Sequence, residues 1–227
     1  CALRFAADGD RIALLYRADD DAAREVAEAC RALGAEALPV RCDVADRAAV
    51  WTAADEIRHR LGPIDVLINN AGIAQQKLFT DISEADWRRM MGVNLDGVFF
   101  CCQAALPDMI HRKSGRIINV SSMWGQVGAS CEVHYSAAKA AVNGLTQALA
   151  KELGPSGITV NAVAPGVIDT EMNGMLDDET RAALADETPL ERLGTPDEVA
   201  RVIHFLAGPG GDFITGQVIG VNGGFVI

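Results

Sequence analysis

The sequence predicts an α/β protein: a doubly wound parallel sheet with helices on both faces. Three observations predict it. Short runs rich in Val, Ile and Leu alternate along the chain with stretches of helical periodicity, the pattern of strands buried on both sides by crossover helices. No internal repeat, linker or low-complexity segment breaks that alternation. The 227 residues are 49% hydrophobic, enough for one domain with a sizeable core, so residues 1–227 are read as a single unit.

The elements follow in order. Cys1 to Ala7 reads as helix, closed by Asp8-Gly9-Asp10. A strand at Ile12–Tyr16 precedes a helix from about Asp20 to Leu33, which Gly34 ends. Leu38–Val40 is the next strand and runs into Cys42-Asp43-Val44. Asp46 caps a helix whose stripe is Val50, Ala54, Ile57 and Leu61, and Gly62-Pro63 stops it. Ile64–Asn69 is a strand. Ser83 caps a helix with Trp87, Met90, Met91, Asn94 and Leu95 on one side, running on through Phe99 toward Met109. Gly115 precedes a strand at Arg116–Val120. Tyr135–Leu153 is a long Ala-rich helix, Ile158–Ala162 a strand, Asp197–Ala207 a helix and Gln217–Val221 a short last strand. Between the last two core blocks, residues 171–190 are acidic and broken by Asn173-Gly174. They read as a surface excursion of one or two short helices beside a strand end, where ligands are often covered.

A helix at residue 1 of such a fold implies a strand ahead of it, in the middle of the sheet. Without that strand two sheet edges stay unpaired, so about 15–20 further residues are expected before Cys1.

Composition excludes several classes. Lys and Arg number 20 against 31 Asp and Glu, a net charge of −11, which argues against general nucleic-acid binding. No run approaches the roughly 18 apolar residues a membrane-spanning helix needs, and no signal peptide is visible; the cytoplasm is the expected compartment. Six cysteines are scattered without a Cys-x-x-Cys pair, which suits reduced, buried thiols. Four histidines show no metal-ligand spacing, so no metal is expected.

The chemistry gathers late in the chain. Tyr135 and Lys139 are four apart on a helix and share a face. Ser122 ends the strand before them, at the edge of a parallel sheet where ligands collect. A phenol is a poor acid at neutral pH, a neighbouring ammonium favours its charged form, and a serine can donate to a carbonyl oxygen that gains charge. The three would suit ketone reduction. From spacing alone, packing on an amphipathic helix remains an equal reading.

Ser122, Tyr135-Ser136-Ala137-Ala138-Lys139, Asn69-Asn70-Ala71-Gly72, Pro165-Gly166, Thr215-Gly216-Gln217 and Val221-Asn222-Gly223-Gly224 occur together, in order, over essentially the whole chain. In that combination the sequence resembles the short-chain dehydrogenase/reductase family, with its Rossmann-like fold. The resemblance implies Tyr135 as proton donor, Ser122 as carbonyl anchor, and Lys139 as the group that tunes the tyrosine and holds the nicotinamide ribose. It implies Asn94, in Val93-Asn94-Leu95-Asp96-Gly97, as the helix-interrupting residue of a proton relay. It further implies NADP(H) as cofactor. Asp43 and Val44 would meet the adenine edge, and Asn69, Asn70, Ala71 and Gly72 would line the dinucleotide path. Pro165, Gly166 and Val167 would meet the nicotinamide carboxamide, and Thr170 the pyrophosphate. The family's glycine-rich turn between first strand and first helix has no counterpart in these residues. After the first strand, Arg17 stands where NAD-preferring relatives carry a carboxylate, and its guanidinium suits a 2′-phosphate.

Within the family the resemblance is to bacterial 3-oxoacyl-acyl-carrier-protein reductases, carried by Ala164 to Met172, Arg192-Leu193-Gly194 and the closing Val-Asn-Gly-Gly. That implies a β-keto thioester substrate, an acidic carrier protein as partner and a homotetramer. Arg112, Lys113 and Arg116 could form the basic landing site, although Ser156 stands where such reductases often place a basic residue. Trp124 to Tyr135 instead resembles a subgroup linked to an amino-ketone modification on elongation factor P, with Glu132 as the receiver of a cation. Another small ketone or alcohol substrate, or a noncatalytic nucleotide-binding module, are the remaining readings.

Overall fold

A computed structural model describes residues 1–227 apart from Met175 and the side chain of Met172, both inside the expected excursion. The helices are α1 (Ala2–Ala7), α2 (Asp20–Ala32), α3 (Arg47–Leu61), α4 (Glu84–Met91), α5 (Gly97–Arg112), α6 (Trp124–Val127), α7 (Val133–Leu153), α8 (Asp178–Glu187) and α9 (Pro196–Ala207). The strands are β1 (Ile12–Tyr16), β2 (Ala37–Arg41), β3 (Val66–Asn69), β4 (Gly115–Val120), β5 (Ile158–Pro165) and β6 (Val218–Val221). Side-chain caps account for most helix starts: Asp19, Asp46 and Asp177 accept from the first turns of α2, α3 and α8, and Ser83 and Thr195 close capping boxes with Asp86 and Glu198.

All strand pairs are parallel, in the orders β1-β2 and β3-β4-β5-β6. The strands thus divide into two sheets, a pair and a set of four, with β1, β2, β3 and β6 as edge strands among the described residues. One apolar cluster spans the division: Leu38, Val40, Val50, Ala54, Ile57 and Cys101 gather Ala13 of β1 and Leu67 of β3. Burial records the difference in cover. β4 and β5 carry Ile117, Ile118, Val160 and Val163 essentially without exposure, whereas Leu15 of β1 is 38% exposed and Val66, Leu67 and Ile68 of β3 are half-buried.

Two sequence expectations need correcting. Periodicity runs the helix from Glu84 on without a break, whereas the resemblance implies an interruption at Asn94, and the interruption is there: residues Gly92–Asp96 widen into a π-turn between α4 and α5. There the Asn94 Nδ2 donates to Met90 O (3.2 Å) and Ile73 O (2.9 Å), satisfying a carbonyl that the widened turn releases. Trp87, expected on the buried stripe, is 39% exposed. The other boundaries move by three residues or fewer, most visibly at β5, which runs on to Pro165.

Candidate active site

Because every strand pair is parallel, residues at strand C-termini share one edge of the fold. Arg17 follows β1; Arg41 ends β2 and Asp43 lies two residues on; Asn70, Ala71 and Gly72 follow β3; Ser122 follows β4; Gly166 and Val167 follow β5. Helix α7 brings Tyr135 and Lys139 to that edge, with the Lys139 Nζ 5.7 Å from the Tyr135 ring centre. Ser121 fixes the helix from below, its hydroxyl donating to Lys139 O at 3.1 Å.

Lys139 is 4% exposed and donates to Val120 O at 2.8 Å. Burial brings its pKa down to about 8. Burial also pushes the Tyr135 phenol up, while the Ser122 hydroxyl pulls it back and the Glu132 charge pushes it further up. Ser122 in turn accepts from the Trp124 N–H at 3.1 Å, and Trp124 stands edge-on to Phe225, ring centres 5.7 Å apart. Asn94 is fully buried and bonded to both polar groups of Ile73, whose N–H reaches its Oδ1 at 3.2 Å. Gly72 nests against this pair: a Cβ there would stand 2.9 Å from Asn94 Oδ1 and 3.5 Å from Lys139 Nζ.

The expected site residues thus converge, with one exception. Asn69 is turned into the interior, its Nδ2 donating to Asn119 Oδ1 at 2.8 Å, and Asn119 reaches Thr146 at 2.9 Å. It ties β3 to β4 and α7 and does not line the path; Asn70 is exposed at the edge instead. Thr170 is exposed, its hydroxyl 3.4 Å from Ile168 O. Asp43 accepts from Ala45 N–H (3.0 Å) and pairs with Arg89 (3.2 Å), and these partners outweigh burial to hold its carboxyl below the usual range.

The sequence reading missed two contributors. Arg41 lies in register with Tyr16, and its Nε donates to the Arg17 backbone carbonyl at 3.1 Å, so a second guanidinium stands beside this strand end. Neither is ion-paired among the described residues. Phe225 reaches the site from the chain's last turn. Both depend on pairing across long sequence separations.

The basic landing site is also corrected. Arg112 pairs with Asp65 and Arg116 with Asp212, and both lie at the N-terminal end of β4, away from Tyr135. A cleft of about 590 Å³ opens at that far end, beside Arg116, Thr159 and Phe213, and holds none of the catalytic candidates. Among the described residues no helix is long and apolar enough to cross a membrane, and no cluster of three or more His, Cys, Asp or Glu could hold a metal ion.

A parallel α/β edge that assembles a serine, a tyrosine and a lysine defines a carbonyl–alcohol oxidoreductase. A family model described as "Enoyl-(Acyl carrier protein) reductase" matches residues 1–226. The "3-oxoacyl-[acyl-carrier-protein] reductase FabG" of Staphylococcus aureus (strain Mu50) is 41% identical over 223 residues, 98% of this chain and 91% of the relative. The enzyme of the same name from Aquifex aeolicus (strain VF5) is 39% identical over 223 residues, 98% and 90% of the two chains. A gluconate 5-dehydrogenase from Burkholderia cenocepacia J2315, solved in complex with NADP and tartrate, superposes with TM-score 0.92 at 37% identity, covering 99% of this chain and 89% of its own. A blue fluorescent protein from a metagenomic library, in complex with NADPH, gives TM-score 0.92 at 36% identity, covering 100% and 92%. The chain belongs to the short-chain dehydrogenase/reductase family and is a FabG-like oxidoreductase.

Proposed function

We propose that this chain reduces a ketone with NADPH, and that its substrate is a 3-oxoacyl thioester, the chemistry named in its FabG relatives. The observation that carries the reading is the convergence of Ser122, Tyr135, Lys139 and Asn94 on one sheet edge. The donor set there fits a phosphorylated dinucleotide. Arg17 and Arg41 offer two unpaired guanidinium groups for a 2′-phosphate, and Gly72 leaves room for close backbone approach beside Lys139. Asp43 and Val44 would meet the adenine, Asn70, Ala71 and Gly72 the ribose path, Pro165, Gly166 and Val167 the nicotinamide end, and Thr170 the pyrophosphate.

Bound NADPH supplies the hydride. The chain's own groups manage the oxygen: Ser122 Oγ donates to the ketone oxygen and stabilises charge as it builds, and Tyr135 Oη gives that oxygen its proton. The Lys139 ammonium faces the phenolate left behind, and the widened turn at Asn94 carries the next station of the relay that reprotonates it. Enclosure strengthens each of these interactions.

A steady-state assay of NADPH oxidation over a panel of ketones and 3-oxoacyl thioesters tests the reading. Tyr135→Phe is expected to lose about 10²- to 10⁴-fold in kcat while remaining folded. Retained turnover would defeat the assignment; retained nucleotide binding without any turnover in the parent chain would favour a noncatalytic module. Glu132 supports a second substrate reading, a protein-borne amino-ketone, because its half-buried carboxylate lies near enough to raise the Tyr135 phenol. Preference for an amino-ketone, lost in Glu132→Gln, would select it.

The proposal extends to assembly and place. The large apolar side chains left exposed on the helices, Trp87, Phe99 and Ile110 among them, support a homotetramer, which light scattering would read as four times the 24.0 kDa chain mass. Free, mostly buried thiols support the cytoplasm.

A further inference from the structure

Helix α7 carries Tyr135 in its first turn, yet that turn lacks the side-chain cap that starts α2, α3, α4, α8 and α9. Its N-cap, Glu132, accepts no side-chain hydrogen bond from the helix, and the residue before it, Cys131, is left-handed at φ 62°. Beside a local bond from the Ala129 N–H to Ser136 Oγ at 3.1 Å, what holds the turn comes from elsewhere in the chain. Lys77 N–H donates to Cys131 O at 2.7 Å. One residue from the phenol, His134 is fully buried, and its Nε2 lies 3.0 Å from Gln75 Oε1.

The hydrogen-bond roles are fixed by Asp86. Its carboxylate takes Lys77 Nζ (2.7 Å), the Ser83 N–H (3.0 Å) and the Gln75 Nε2 (3.1 Å). Lys77 and Ser83, then Gln75, hold it far below the usual carboxyl range, so it only accepts. Gln75 must therefore present its oxygen to His134, and His134 Nε2 must carry the proton. Among the described residues the ring's Nδ1 is buried with no partner, a state burial keeps neutral by lowering the imidazole pKa. A leucine would fill this space without stranding a polar atom, so packing alone does not account for a histidine here.

Asp86 also closes the capping box of α4, and Ile73, two residues before Gln75, is held on both sides by Asn94. The strap 73–77 is thus pinned at one end to the relay residue and at the other to α4, and it grips the tyrosine turn between them. We propose that the Asp86–Gln75–His134 chain is a positioning device that holds the first turn of α7, and with it the Tyr135 phenol, in its enclosed orientation beside Ser122. The inference rests on the proposed reaction for its consequence, though not for its test.

The chain has two tyrosines, Tyr16 and Tyr135, so in a Tyr16→Phe background ultraviolet titration reads Tyr135 alone, with no cofactor or substrate present. Burial is the largest influence on that phenol, so freeing the turn admits water and lowers its ionisation midpoint. Gln75→Leu and His134→Leu are expected to lower it by about half a unit or more, and His134→Gln, which keeps an N–H donor near the Nε2 position, to restore it. Circular dichroism on the same samples separates this from unfolding; should either leucine variant unfold, Asp86→Asn carries the comparison. An unchanged or raised midpoint in the folded variants overturns the proposal. Where the parent chain turns over a ketone, Gln75→Leu is further expected to lower kcat about tenfold with KM for NADPH held within about twofold. Absence of ketone turnover in the parent would count against the reaction and leave the titration to decide the clamp.

Discussion

Lys139 holds its charge almost wholly out of water, with one carbonyl as hydrogen-bond partner, and that arrangement opposes folding at neutral pH. With its pKa down to about 8 in the folded chain, between that value and the unfolded lysine value near 10.4 the unfolded chain binds more protons than the folded one. Stability from this group therefore climbs with pH across that window and is fully withdrawn below it, by about 3 kcal/mol. Lys139→Met is expected to unfold at higher urea than the parent at pH 7, with the gap closing by pH 10, while turnover is lost. A gap that widens toward pH 10 would sink the account. Along the same edge of the fold, Arg17→Ala and Arg41→Ala should each weaken binding of 2′,5′-ADP about tenfold and leave 5′-AMP within about twofold, read by calorimetry. Equal losses for both nucleotides would mean that the two arginines do not read the 2′-phosphate.

Contacts between elements decide how those residues are presented. The short helix α6 lies so close on α7 that a Cβ at Gly125 would stand 2.8 Å from Lys139 C and 2.9 Å from Lys139 Cβ, and Asn143 Nδ2 locks the pair by donating to Gly125 O at 3.0 Å. Gly125→Ala must move either α6, with the Trp124 that steadies Ser122, or the turn bearing Lys139. It is expected to lower the melting temperature and to reduce kcat at least tenfold, because about 1 Å of misplacement costs that order of rate. A folded Gly125→Ala chain with parental kinetics would show that the contact is slack. The π-turn at Asn94 belongs to this scale too: Asn94 can reach Ile73 and Met90 together because the helix widens there.

Across the whole molecule, the cover over each strand sets where the fold opens first. The β1–β2 unit is held to the rest through the apolar cluster around Leu38 and Val40, Phe5 of α1 packed on the α9 cluster beside His204, the Asp43–Arg89 pair, and the Arg4–Asp197 and His204–Asp8 pairs between α1 and α9. Surface ion pairs of this kind contribute little. The β3–β6 sheet encloses β4 and β5 on every side. Hydrogen exchange is therefore expected to reach the amides of residues 12–41 well before those of 115–120 and 158–165. Uniform protection across the two groups would show that the difference in cover has no energetic consequence.

Much of this was legible beforehand for identifiable reasons. Helix starts follow from local chemistry, since an aspartate or serine two or three residues ahead of a backbone N–H caps it, and Asp46 and Ser83 did so. Strand positions follow from unbroken apolar runs, and the candidate set Ser122, Tyr135 and Lys139 from the motifs that carry the family resemblance. Direction and pairing were not local. Asn69 and Asn70 are adjacent and chemically identical, and only the pleat of β3 decides that one turns into the core and the other to the edge. Arg41 joins Arg17 through strand register, His134 meets Gln75 across 59 residues, and Arg112 and Arg116 lose their value as a landing site to partners and a position that no spacing reveals. The sequence by itself thus determined the fold class, the element order and the reacting residue types, because periodicity, caps and motifs act within a few residues. The tertiary structure alone decided which side chains reach the C-terminal edge of the sheet, which charges find ion partners and which segments pack on the tyrosine turn, because burial and pairing are set by segments that meet only after folding.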